Sequence, residues 1–495
     1  MSDSAPPNPW RNTSGLFGAL TGLLFLAVVQ HRYLLIPFRP ERRCGKRRIG
    51  WIRNCGALTL WLAGIGLVAL DLASFAVSSA HAQMSVFEGE RLKIDLGVDA
   101  STVFFAQDNP WFGEPVANIG ADTDSWLEVG AEPAVYLSYD QIFGGELFGG
   151  VSVVGTKTFG ESADGLGVGF NDPGEVTLEL AFGGWRRAFG NGISVELQGG
   201  NFDYQIGTGF LIKDGGGDGG NRGGFYLGAR SAFRESGLVR LEIGDARVEF
   251  FHLGNNPRRG GIKGELVGGN LEYDIEGLAT VGVTYLDIVD VDDADIGNIA
   301  EKLRTYDFRA DVFPIENLTV SGEVALQRGG DFFRGEGWWG QAQYAFANTR
   351  FAPTFSYRYA VVTGDDPSTP ESEAFQPLAY GFTDYEQWYQ GEIAGNWTFA
   401  NTNQRTHMVK ASVSLTDNLS LTGAWLNFTL DEPGDLGVIS DDFGDEFDLF
   451  LDWSPMEYVS LSAAVATLIP GDAARQFTGG GRTWTHIMFL ATFSL

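Results

Sequence analysis

Between Arg91 and Phe104 apolar and polar residues alternate. Leu92, Ile94, Leu96, Val98, Ala100 and Phe104 fall on one parity, and Arg91, Lys93, Asp95, Asp99 and Ser101 on the other. A period of two is that of a β-strand, whose successive side chains point to opposite faces. The run is longer than the five or six residues of an ordinary soluble strand. It matches a membrane strand of about 9–11 residues, apolar towards lipid and polar towards a lumen. The pattern returns at Tyr306, Phe308, Ala310 and Val312 against Thr305, Asp307, Arg309 and Asp311, and at Val409, Ala411, Val413 and Leu415 against Lys410, Ser412 and Ser414. A soluble sandwich also alternates, but over shorter strands.

The connections alternate in length. Asp274-Ile275-Glu276-Gly277, Ile315-Glu316-Asn317, Thr416-Asp417-Asn418 and Ser454-Pro455-Met456-Glu457 are short turns, whereas 288–303, 328–337, 362–406, 431–444 and 469–483 are long and polar. Short turns at one end and long loops at the other predict an all-β fold: a membrane-spanning antiparallel up-and-down barrel with its short turns periplasmic. Parity sets the count. Placing one strand at Gly224–Phe233, before a turn at Arg234-Glu235-Ser236-Gly237, predicts 18 strands. The alternating stretch Gln387–Phe399 would break parity and is assigned to the long loop 362–406. Trp453, Tyr458, Phe313, Phe346 and Phe351 flank short turns and suit an aromatic girdle.

The first 82 residues read as an address. Arg42, Arg43, Lys46, Arg47, Arg48 and Arg53 precede an apolar run from Ala57 to Leu70, and small residues end in Ala80-His81-Ala82. That order predicts a secretory signal over 42–82, with export by the general secretory route and cleavage before Gln83. Residues 1–41 read as an upstream extension or a start codon set too early, and 83–495 as the barrel. Both cysteines, Cys44 and Cys55, fall before Gln83.

Composition narrows the rest. The chain has 63 acidic and 34 basic residues, a net charge of −29. Nine bases and three acids precede Gln83, which leaves 25 bases and 60 acids after it. Such a surplus repels phosphate and argues against nucleic acid. With 44% hydrophobic and 13% aromatic residues the chain is too apolar for disorder.

The segments GFLIKDGGGDGGNRGGFYLGARSAF (209–233), YRYAVVTGDDPSTPESEAFQPLAYGF (357–382), WYQGEIAG (388–395) and FDLFLDWSP (447–455), with PGDA at 470–473, resemble the alginate export porin family. The resemblance spans the mature chain and is most specific from Tyr357 onward. It implies an 18-stranded outer-membrane barrel passing polysaccharide through a constricted lumen. In the alginate exporter, arginines line the pore and attract a uronate polymer. Basic pore-lining candidates here are Arg91, Lys93, Arg230, Arg240, Arg309, Arg358 and Lys410, because a guanidinium fork suits a sugar carboxylate. The alternative is that each pairs with a wall carboxylate; Arg309, between Asp307 and Asp311, fits that description. Acidic lining candidates include Glu128, Glu179, Glu446 and Asp448. Ser462 and Ala464 stand where the exporter carries inward arginines, so the family guides architecture more than substrate.

Long loop 362–406 is a candidate inward gate, with Asp365, Asp366 and Glu392 as its charged residues. Asp290, Asp292, Asp293 and Asp295 form a weak calcium candidate, because Ala294 breaks the EF-hand spacing. Neither a cofactor nor a firm metal site is expected. A barrel hydrolase would need a His near a nucleophile, and His486 has only the distant Ser494 on its strand. The expected function is therefore a non-enzymatic outer-membrane channel of the alginate export type, passing polysaccharide or small polar solutes. A general porin preferring cations or neutral solutes is the alternative. Expected partners are outer-membrane lipid and lipopolysaccharide, the barrel-assembly machinery and the solute. The final strand, alternating Ile487, Phe489, Ala491, Phe493 and Leu495, resembles the assembly signal.

Overall fold

The structure, a computed structural model, describes residues 83–113, 123–160, 173–257, 263–292, 303–330, 332–381 and 388–495. The extension expected over 1–41 and the signal expected over 42–82 lie outside the described residues, as do Asp293 and Asp295.

The alternating segments become strands. The first six are β1 (Gln83–Glu88), β2 (Leu92–Asp108), β3 (Thr123–Ile142), β4 (Gly145–Gly160), β5 (Gly174–Gly190) and β6 (Ile193–Phe202). Seven follow: β7 (Phe233–Ile243), β8 (Ala246–Gly254), β9 (Gly264–Ile275), β10 (Ala279–Val291), β11 (Arg304–Ile315), β12 (Leu318–Arg328) and β13 (Glu336–Ala345). The last six are β14 (Thr354–Val362), β15 (Gln404–Thr416), β16 (Leu419–Thr429), β17 (Asp442–Met456), β18 (Val459–Pro470) and β19 (Trp484–Ser494).

From β2 onward each strand pairs antiparallel with the next, and β19 pairs with β2 from Thr485↔Asp108 to Ser494↔Asp99. The result is a closed 18-strand barrel, as the connection parity predicts. Closure matters because an open edge in hydrocarbon leaves backbone groups unsatisfied at several kcal/mol each. Leu495 completes the seam by exchanging backbone bonds with Val98 at 2.7 and 2.9 Å. Below that seam lies β1, an unforeseen strand paired with β2 over Lys93–Gly97.

Side chains sort by parity. On β11, Tyr306 and Phe308 are exposed on the outer face, while Asp307 and Arg309 point inward and are largely buried. No described helix is long and apolar enough to cross a membrane; the strands do so. Short turns use the conformations their sequences favour: Asn191 and Gly192 both have positive φ, 53° and 71°, as a two-residue hairpin turn requires.

One expected strand is not formed. Of the stretch Gly224–Phe233, all but Phe233 belongs to a loop, and Arg234-Glu235-Ser236-Gly237, expected as a turn, lies within β7 with a bulge between Arg234 and Gly237. Gly223, Gly224 and Gly228 adopt φ of 72°, 66° and 53°, which an extended strand cannot accommodate. β7 begins at Phe233 and runs on through those four residues, and β2 to β19 make up the 18 strands of the barrel. The described part of Gln387–Phe399 is no strand either, as parity demands; it includes a π-helical stretch, Gly391–Thr398.

Candidate functional site

Two long connections turn into the barrel. The first, 203–232, joins β6 to β7; the second, 363–403, joins β14 to β15 and is described except for 382–387. They meet through a parallel bridge, Ile212↔Ala379, with the Lys213 and Asp214 amides donating to the Ala379 carbonyl at 2.6 and 2.9 Å. Rings lock the junction: Phe210 lies 5.6 Å from Phe375 and 4.6 Å from Trp388, and Phe225 stacks on Trp397 at 4.9 Å.

Wall carboxylates hold these loops. Glu128 on β3 accepts from the Trp126 indole and from the Tyr226 and Leu227 amides at 3.0, 3.0 and 3.1 Å. Glu179 on β5 accepts from the Ala232 amide at 2.8 Å. Glu446 on β17 accepts from the Ile393 and Ala394 amides at 2.6 and 2.8 Å, and Asp448 accepts from the Tyr389 hydroxyl. Each bond to a carboxylate contributes on the order of 1.5–3 kcal/mol, and each amide would otherwise be stranded without water. All four acids expected to line an aqueous path are thus loop anchors. Gly391 sits where only glycine fits: its φ is 92°, and a Cβ there would lie 2.8 Å from Glu446 Oε2.

The basic candidates separate by place. Arg240 on β7 lies between Glu196 and Glu249 at 2.8 and 2.7 Å. Arg309 bonds Glu272 at 2.6 Å and Asp307 at 3.1 Å, the wall pairing anticipated from its neighbours. Arg358 on β14 is buried against the rings of Trp339 and Trp388, and its fork reaches Gln341 Oε1 at 3.0 Å and the Tyr389 carbonyl at 3.3 Å. Lys410 on β15 points inward, opposite Ser356 and Ala424, and Lys93 pairs with Asp95 at 2.8 Å. Two candidates differ from expectation. Arg230 stands on the first in-folded loop rather than on a strand, buried in an ion pair with Asp218. Arg91 lies at the exposed bend between β1 and β2, outside the strand wall.

Of the gate candidates, Glu392 is buried deepest in the lumen, at 1% exposure. Burial, then the charge of Asp448, pushes its carboxyl up to about 8. Asp214 on the first loop is likewise pushed up to about 8 by burial, against the Gly216 amide that favours its charge. Asp365 and Asp366 lie within the second loop. Asp365 accepts from the Glu373 amide at 3.0 Å, and Asp366 from the Ser368 amide at 2.8 Å. Among the described residues no cluster of His, Cys, Asp and Glu is arranged to hold a metal.

His486 is not the isolated lumen histidine that the sequence suggested. Its Nδ1 meets Gln107 Nε2 at 3.0 Å and its Nε2 lies 3.6 Å from Glu392 Oε1, whereas Ser494 pairs with Asp99 eight residues further along β19. The Gln107 and Glu392 contacts had no signal in the sequence, because they join residues 379 and 94 positions away. Below the loops, at the short-turn end, a cavity of about 570 Å³ is lined by Asp140, Glu146, Arg186, Glu196, Arg240 and Glu242 among others. It forms a charged vestibule.

No protein-family model and no curated protein matches the sequence. Among solved structures, the chain is similar to Pseudomonas aeruginosa OccK9 (OpdG), with a TM-score of 0.53 and 12% identity over 81% of this chain and 98% of that one. It is similar to OccK5 (OpdH) of the same organism, with a TM-score of 0.51 and 13% identity over 81% and 98%. OpdQ, also from Pseudomonas aeruginosa, gives a TM-score of 0.51 and 11% identity over 81% and 97%. At these identities the likeness is one of fold: the closed, outer-membrane type of β-barrel.

Proposed function

We propose that this protein is a channel of the bacterial outer membrane that passively admits small polar solutes, preferring cations and neutral molecules to anions. The observation that carries this reading is the closed barrel whose lumen is crossed by two anchored loops above a charged vestibule. Such a barrel has no surface for lipid to enter, and its inward polar positions serve passage rather than packing at the short-turn end. The solved neighbours are outer-membrane porins, which supports the same reading. Preference for cations follows from the wall: inward positions of β2 and β3 that no loop amide occupies carry Asp95, Asp99, Glu132 and Asp140 against Lys93. Lipid and lipopolysaccharide would surround the barrel, the terminal strand would be read by the assembly machinery, and the leader would supply export. A hydrolase reading has little support, since His486 is engaged by Gln107 and Glu392.

A second reading, export of a uronate polymer, is favoured by one observation. Arg186 and Arg240 line the vestibule, Arg247 and Arg309 occupy inward positions further round the wall, and guanidinium forks suit sugar carboxylates. Against it, each of these forks is already taken by a wall carboxylate, and the inward positions Ser462 and Ala464 carry no charge. The second loop is the gate in either case. Reversal potential across a planar bilayer under a salt gradient separates the two. Cation selectivity is expected; clear anion selectivity, with current block by uronate oligosaccharides but not neutral ones, would replace the first reading by the second.

A further inference from the structure

Resting on the channel reading, we propose that segment 388–398 is a proton-controlled plug, held in the lumen while its buried carboxyl group keeps a proton and released as the pH rises. The segment is packed against β17 and β18, against Trp126 of β3 and His486 of β19, and against Phe225 and Tyr226 of the first loop. Three carboxyl groups converge there, Glu446 and Asp448 from the wall and Glu392 from the plug. The wall pair is committed. Glu446 gives both oxygens to the Ile393 and Ala394 amides, and Asp448 receives the Tyr389 hydroxyl and, at 3.4 Å, the Glu392 amide.

Glu392 stands differently. Its side chain is buried, and Oε1 has no hydrogen-bond partner. Its nearest basic group is His486, whose Nε2 lies 3.6 Å away. The Gln107 amide nitrogen donates to Nδ1 of that ring, so Nε2 carries the hydrogen and the imidazole is neutral. The remaining titratable groups around the plug do not supply a counter-charge at Glu392. Tyr226 bonds it from the first loop, and Glu128 stands behind Tyr226. Tyr389 is on the plug itself. Arg358 reaches the Tyr389 carbonyl instead, and Lys410 lies two strands from Asp448 along one register line. An ionised Glu392 would therefore face Asp448 in a dry pocket, the arrangement that buried charges tolerate least.

The sign follows from linkage. In the plugged state the Glu392 carboxyl is pushed up to about 8 from its ordinary 4.5, and release into water restores the ordinary value. The plugged state therefore binds more protons between those limits. The proton's contribution to that hold is complete below about pH 4.5, weakens as the pH climbs, and is lost by about pH 8. One proton sets a ceiling of about tenfold per pH unit on the released-to-plugged ratio.

Single-channel recording of the full-length barrel between pH 5.5 and 8.5 tests this. The open-time ratio is expected to rise steeply with pH in the wild type, approaching about tenfold per unit at most. In Glu392→Gln, which keeps shape and polarity but cannot ionise, that dependence is expected to vanish, with the channel remaining mostly plugged. A second readout does not require conductance. In a Cys44→Ser, Cys55→Ser background, Thr398→Cys places a thiol on the buried plug. Its methanethiosulfonate labelling rate, normalised to an unfolded control at each pH, is expected to climb with pH only when Glu392 is present. An unchanged pH response in Glu392→Gln, or equal normalised labelling of Thr398→Cys at pH 6 and pH 8.5, overturns the plug. Pores absent at every pH while labelling still follows Glu392 would sink the channel reading and leave the plug standing.

Discussion

The two halves of the lumen wall are built on opposite principles. On β4 to β8, one register line reads Glu146, Arg186, Glu196, Arg240 and Glu249, acid and base alternating from strand to strand. On β15 to β19 and β2, the corresponding line reads Met408, Leu426 and Glu446, and a second reads Phe450, Ala464, Met488 and Phe105. The first wall solvates itself with its own ion pairs and needs no cover. The second is apolar and must be covered, so the loops enter there and form a packed core with Trp397, Phe225 and Trp126. In a barrel, apolar residues on inward parity mark where a loop will dock. Trp397→Ala tests this most severely. It removes a ring buried between Phe225 and Trp126 and should cost the plug about 3–5 kcal/mol. The barrel ladder is untouched, so larger and longer openings are expected with an unchanged temperature for the gel band shift between folded and unfolded forms.

The charged half should fail in the opposite way. Arg309 joins Glu272 on β9 to Asp307 on β11, so Arg309→Met leaves Asp307, which is fully buried, without its cation. Removing one partner of a buried pair costs 3–5 kcal/mol, and an exposed pair at most about 1. The Arg309 side chain is only 10% exposed, so a loss of about 3 kcal/mol, the lower end of the buried range, is expected. It should appear as a lower band-shift temperature with little change in open time. If instead the plug opens and the barrel keeps its stability, the two halves are not independent.

How much of this could be read from the sequence depends on which contacts are local. Strand parity is local, which is why Tyr306 and Phe308 could be placed on lipid and Asp307 and Arg309 inside before any pairing was known. Short turns such as Thr416-Asp417-Asn418 are local too. Hairpin register follows from them, and 18 strands follow from their alternation. The loops were misread where glycine and alternation conflicted. Phe225, Leu227 and Ala229 alternate as a strand would, yet Gly223, Gly224 and Gly228 turn the backbone left-handed between them. The roles of the acids were hidden for another reason. Glu128, Glu446 and Asp448 have the inward parity of pore-lining residues, and only the path of distant loops shows that their partners are buried amides rather than ions. Gly391 and His486 carry no local trace of that meeting.

The smallest expected effect sharpens the comparison best, because it separates charge from architecture. Arg186 on β5 bonds Glu146 at 2.6 Å, but its side chain is 53% exposed to the vestibule. An exposed pair of this kind contributes at most about 1 kcal/mol, so Arg186→Gln should leave the band-shift temperature nearly unchanged. It nevertheless removes one positive charge from the narrow charged wall and uncovers Glu146. Electrostatics in a confined, low-dielectric passage act on permeating ions well beyond hydrogen-bond range. The reversal potential should therefore move towards that of the cation, by a few millivolts at low salt and less as ionic strength shortens the Debye length from about 30 Å at 0.01 M to about 3 Å at 1 M. A shift of the same size after Lys93→Gln, three strands away at the same end of the wall, would show that the field is not confined to the alternating wall. No shift for Lys93 and a clear one for Arg186 would place selectivity in the half of the barrel that the loops leave open.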